Sequence, residues 1–91
     1  MDKKQAKIMV DGQVQGVFFR ANAKEEASNL GLKGYAKNLP DGRVEIIVQG
    51  EESAIKRFIG WCEEGPPSAE VQQVEHEWQT PTEPYENFST Y

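Results

Sequence analysis

The sequence holds one cysteine and one histidine in 91 residues. A lone Cys62 excludes an intrachain disulfide and a cysteine-rich metal site, and a lone His76 excludes a paired-histidine zinc motif. No apolar run approaches the ~18 residues of a membrane span. The stretch MDKKQAKIMVDG carries charges but neither an apolar h-region nor a small-residue cleavage site. No signal peptide and no membrane partner are therefore expected, and a cytoplasmic location is. Basic residues are also scarce: 10 Lys and Arg stand against 15 Asp and Glu, for a net charge of −5. That balance argues against a nucleic-acid partner, whose affinity rests on basic contacts to phosphates. It leaves room for a small anion held by a local positive site, because charges beyond about 8–10 Å are largely screened.

What remains is the composition of a globular chain, 37% hydrophobic and 27% charged, of a length that suits one domain spanning residues 1–91. Ala6, Ile8 and Val10 alternate with Lys7, Met9 and Asp11, the pattern of a half-buried strand ending at Gly12. From Phe19 the period becomes helical, through Ala23, Ala27 and Leu30, with Gly31 placed as the left-handed stop and Leu32 as its hydrophobic partner. Asp41-Gly42 marks a hairpin turn, lengthened by Pro40, between a weak strand through Tyr35 and a strong one at Val44, Ile46 and Val48. Ile55, Phe58, Ile59 and Cys62 form the stripe of a second helix, closed by Gly65-Pro66-Pro67. In the last long strand Ala69 and Val71 share one parity and Val74, His76 and Trp78 the other, which calls for a bulge near Gln72-Gln73. YENFSTY could add a short fifth strand. The order β-α-β-β-α-β is the split βαβ, or ferredoxin-like, arrangement: an α+β fold with two helices on one face of an antiparallel sheet.

GQVQGVFFR, residues 12–20, joins the first strand to the first helix. Amides at a helix N-terminus lack intrahelical partners and attract anions. Glycine lets a backbone approach an oxyanion, and Arg20 could close over a phosphate with its guanidinium fork. On spacing alone, a tight strand-to-helix turn followed by a surface arginine is the plainer reading. Phe19 belongs to the helix's buried stripe, and Phe18 is expected to pack beneath the loop. Asn38, before LPDG, reads either as a turn residue or as an amide that positions a water. Cys62 reads as a small core hydrophobe, and no spacing of acidic residues suggests a metal loop. A phosphate ester or peptide would need a metal, nucleophile or acid to leave. A substrate with a good leaving group needs only positioning and charge stabilisation.

GQVQGVFFR followed by LGLKGYAKNLPDGRVEIIVQG closely resembles the two signatures of acylphosphatases, and the similarity extends through FIGWCEEGPPSAEVQQVE. The resemblance implies a ferredoxin-like hydrolase that cleaves the carboxyl–phosphate anhydride of acyl phosphates. It implies that backbone amides of Gln15, Gly16, Val17, Phe18 and Phe19 cradle the phosphate, that Arg20 grips its oxygens, and that Asn38 orients the attacking water. No metal and no cofactor are implied. The expected partner is a small-molecule acyl phosphate, and the expected state is a monomer. The alternative is a non-catalytic phosphate- or metabolite-binding module of the same fold. A carbamoyl-phosphate-handling domain and an RNA-binding domain of this fold are further rivals. Which acyl phosphate is the natural one is not written in residues that grip only the phosphate.

Overall fold

The computed structural model describes residues 3–91. These form β1 (Lys4–Gln13), α1 (Phe19–Asn29), β2 (Lys33–Asn38), β3 (Val44–Gly50), α2 (Glu52–Glu64), β4 (Glu70–Gln79) and β5 (Phe88–Thr90). The alternation in β1 and β3 sets the sheet's inner face. Ala6, Ile8 and Val10 pair with Val48, Ile46 and Val44 in register, and all six are fully buried. Onto that face α1 lowers Phe19, Ala23 and Ala27, and α2 lowers Ile55, Phe58, Ile59 and Cys62. Each large apolar side chain so buried contributes roughly 1.5–3 kcal/mol.

Helix α1 stops as its sequence requires. Gly31 takes φ +73°, its N–H donates to the Ser28 carbonyl, and the Leu32 N–H reaches back to the Ala27 carbonyl at 2.8 Å. Those two bonds satisfy carbonyls that would otherwise end the helix unpaired. The β2–β3 turn spans residues 39–43. It is closed by the Leu39 N–H on the Arg43 carbonyl, and Asp41 accepts from the Arg43 backbone N–H at 3.1 Å and its Nε at 2.8 Å. That backbone bond, foremost, holds the Asp41 carboxyl below its ordinary pKa.

In β4 the parity switch resolves as expected. Asp11 pairs with Gln73 and Gly12 with Val71, leaving Gln72 as the extra residue of a bulge. Gly12, at φ +130°, lies so close to the backbone of Glu70 and Gln72 that a Cβ there would collide. Its permissiveness serves strand pairing, and the candidate loop itself starts beyond β1.

The strand order is β4-β1-β3-β2-β5. The four long strands pair antiparallel as expected, and the short fifth strand adds at the edge, parallel to β2 (Gly34 with Phe88, Ala36 with Thr90). The sheet is therefore mixed. β4 and β5 are opposite edges, so residues 80–87 must strap across the sheet to join them.

Two buried glutamines on the outer face hold that strap. Gln49 Nε2 donates to Gln5 Oε1 at 2.7 Å and to the Glu83 carbonyl at 3.1 Å, and Gln49 Oε1 accepts from the Tyr85 N–H at 3.0 Å. Gln5 Oε1 also accepts from the Thr82 backbone N–H and hydroxyl. A buried amide stabilises only when so completely partnered.

Tyr85 and Tyr91 then meet Tyr35 edge-on, with ring centres 6.0 and 5.9 Å apart. Burial, then the hydrogen bond and negative charge of Glu45, push the Tyr35 hydroxyl up from 10.0 to about 12. A pKa raised by folding contributes stability that is complete below the unfolded value and is lost as pH rises through the folded one. Absorbance titration of tyrosinate is thus expected to show a step near pH 12 that disappears in Tyr35→Phe. Its persistence in that variant would refute the assignment.

Candidate active site

Strands β1, β2 and β5 run in the same direction, so their carboxyl ends meet at one end of the sheet, where α1 begins. The loop between β1 and α1 is anchored there by Val14, which is buried, and by Val17, which packs on the core. Gly16 and Phe18 both adopt left-handed backbone, at φ +72° and +63°. Anion nests are built from successive backbone N–H groups in turns that contain such left-handed residues.

Two of the loop's carbonyls are engaged by protein donors. That of Val17 accepts from Ser68 Oγ at 2.6 Å, and that of Phe18 accepts from the Asn22 backbone and from Asn22 Nδ2 at 2.8 Å. In a trans peptide the N–H opposes the preceding carbonyl, so the Phe18 and Phe19 amides turn the other way. Among the described residues, no backbone N–H from Gln15 to Phe19 donates to a protein acceptor.

Gln15 adds a role that the sequence did not reveal. Its Nε2 donates to the carbonyls of Leu39 at 2.8 Å and Arg43 at 3.0 Å. One side chain thereby fixes the loop against the β2–β3 turn, beside Asn38. No local pattern could signal a bond to a segment 24 residues away.

Arg20 and Asn38, separated by 18 residues in sequence, meet through a third residue. The main-chain oxygen of Tyr91 accepts from Arg20 Nη1 at 2.6 Å and from the Asn38 backbone N–H at 3.1 Å. β5 leads to that oxygen, and the Tyr91 N–H on the Ala36 carbonyl at 2.8 Å secures it. Asn38 ends β2 on the parity of Gly34 and Ala36, the inner-face positions. Its Oδ1 is buried and has no hydrogen-bond partner. A buried acceptor left unpaired costs about 1–3 kcal/mol.

Phe18 corrects an expectation. Its ring does not lie beneath the loop but is 74% exposed, because a left-handed backbone directs the side chain away from the core that Phe19 enters. The other nucleophile candidates lie elsewhere. Cys62 is sealed in the core, where burial pushes its thiol pKa well up, and exposed His76 stands on β4 against Trp78. Among the described residues, no group of three or more His, Cys, Asp or Glu side chains could hold a metal. No helix among them is long and apolar enough to cross a membrane.

The sequence and its fold have counterparts in known proteins. A family model described as Acylphosphatase matches residues 6–90. A protein named Acylphosphatase from Anaeromyxobacter dehalogenans is 51% identical over 80 residues, covering 88% of this chain and 86% of its own. The solved structure of an acylphosphatase from Coxiella burnetii superposes with a TM-score of 0.93 at 38% identity, over 99% of this chain and 94% of that one. Full-length HypF, solved in a phosphate- and nucleotide-bound form, contains a similar unit at a TM-score of 0.89 and 31% identity. That unit covers 99% of this chain but 12% of the larger protein.

Proposed function

Because this chain belongs to the acylphosphatase family, and is therefore an enzyme that hydrolyses acyl phosphates, we propose that residues 15–20 and Asn38 form its active site. The amides of Gln15 to Phe19 cradle the phosphate, Arg20 grips its oxygens, and Asn38 holds the attacking water. The observation that carries this reading is the unpartnered buried Oδ1 of Asn38, a residue tied through one main-chain oxygen to Arg20. An acceptor in that position takes a hydrogen from water and aims the water's lone pair at phosphorus.

The chemistry asks for little else. Water oxygen bonds to phosphorus, and the bond from phosphorus to the bridging oxygen breaks with its electron pair going to the carboxylate. The conjugate acid of that leaving group has a pKa of only about 4, so it departs without a proton donor. The water's proton passes to a phosphoryl oxygen, whose second pKa of about 6 makes it an adequate base near neutrality. Charge spreads over the phosphoryl oxygens during transfer, and fixed amides with one guanidinium meet it without reorganising. No metal and no phosphoenzyme enter this scheme. Residues 6–90 account for one acylphosphatase domain, and we take the working unit to be that domain as a monomer.

Purified protein in H₂¹⁸O with benzoyl phosphate tests the scheme. Phosphate release is expected to be unchanged by EDTA, with the heavy oxygen in phosphate. Label in benzoate would mean attack at the carbonyl carbon, and loss of turnover with EDTA would mean a metal. Either outcome overturns the mechanism.

A further inference from the structure

Phe18 is the one non-glycine among the described residues with a positive φ. A left-handed backbone is unfavourable for a bulky residue, and an exposed aromatic ring forgoes the stabilisation of burial. Both costs fall on a single residue, in a loop where Val14 and Phe19 are almost wholly buried. Strain of this kind persists where the surroundings impose it and function uses it. Among the described residues two other large apolar side chains are exposed, and neither shares this position. Trp78 lies on the β4 edge beside Lys4 and Lys56, and the ring of Tyr91 packs against Tyr35.

The space beside Phe18 has a suitable lining. A cavity of about 250 Å³ is bounded by Val14, Gly16, Phe18, Phe19, Arg20 and Ala21. That is the share of liquid volume of roughly eight waters, more than the five heavy atoms of a phosphate occupy. Its lining combines one basic residue, Arg20, with apolar ones. An acyl phosphate has the same polarity, with an anionic head and an acyl remainder.

We propose that the exposed Phe18 ring, at the rim of the cavity it shares with Arg20, forms one wall of an acyl-group subsite that favours aromatic or large apolar acyl phosphates. This inference rests on reading residues 15–20 as the phosphate site, and it adds a selectivity that gripping the phosphate cannot supply. A hydrophobic pocket distinguishes acyl groups by contact area, and in a half-open site the lower end of the usual range applies, roughly tenfold.

The test compares kcat/KM for benzoyl and acetyl phosphate in the parent protein, Phe18→Ala and Phe18→Tyr. Alanine keeps a Cβ on the same backbone, so the loop's conformation is retained while the ring is removed. The benzoyl-to-acetyl ratio is expected to fall about tenfold in Phe18→Ala, chiefly through KM for benzoyl phosphate, and to return in Phe18→Tyr. An equal loss on both substrates would assign the ring to loop shape alone and overturn the proposal, as would an unchanged ratio. Failure of the parent protein to release phosphate from either substrate would instead overturn the reading of the site itself, and this inference with it.

Discussion

Arg20→Ala is expected to lower kcat/KM for benzoyl phosphate about a hundredfold or more while leaving the fold intact. Removing one preorganised donor aimed at developing charge typically costs ~3–4 kcal/mol of transition-state stabilisation. Arg20 is the cation nearest the candidate cradle by chain position, one residue beyond it. Its guanidinium spends one N–H on the main-chain oxygen of Tyr91, and that bond orients the fork while leaving the others for phosphate oxygens. Arg20→Lys keeps the charge but loses the bidentate geometry, so it is expected to recover only a small part of the activity. Thermal unfolding of both variants should stay close to that of the parent, because Arg20 is partly exposed and its one protein bond lies at the surface. Steady-state kinetics beside competitive inhibition by inorganic phosphate would measure both the loss and its cause. A near-parental rate in Arg20→Ala, with the protein folded, would sink the assignment.

The difference between what could and could not be read in the sequence follows the range of the interactions. The alternation at Ala6, Ile8 and Val10 and the stripe at Ile55, Phe58, Ile59 and Cys62 are local consequences of burying one face, and both elements form where their periods place them. The Gly31-Leu32 stop and the bulge at Gln72 are also local, one set by left-handed backbone and the other by a parity change. By contrast, β5 has three residues and no period of its own. Its parallel pairing with β2 depends on a strap held by Gln5 and Gln49 through contacts that no local pattern marks. The same limit hid part of the site. The loop and its glycines announced a possible cradle, but the Gln15 bonds to the hairpin turn and the Tyr91 main-chain oxygen between Arg20 and Asn38 are contacts across the fold. Phe18 departs from its expected burial for a different reason: hydrophobicity argues for burial, whereas a left-handed φ argues against it, and φ is not written in composition.

Asn38→Ala is expected to separate activity from stability in a way that few substitutions would. Turnover of benzoyl phosphate should fall about a hundredfold, because the water then lacks the acceptor that aims it, an effect comparable to losing one donor. Stability should hold or rise slightly, by up to about 1 kcal/mol. The variant removes a buried oxygen that accepts no hydrogen bond from the protein, and such a group is a burden to the folded state. The backbone bond from residue 38 to the main-chain oxygen of Tyr91 survives the change, so β5 and Arg20 keep their places. A residue kept at some cost to stability is what a site selected for chemistry looks like. Asn38→Asp sharpens the test, since a carboxylate can also accept from water but repels the phosphate dianion. It should lose activity mainly through weaker substrate binding, seen as a raised KM and a raised inhibition constant for phosphate. Chemical denaturation paired with kinetics on the two variants decides the matter. If Asn38→Ala instead loses several kcal/mol of stability and its activity falls only in proportion to the folded fraction, the side chain serves the hairpin rather than the water.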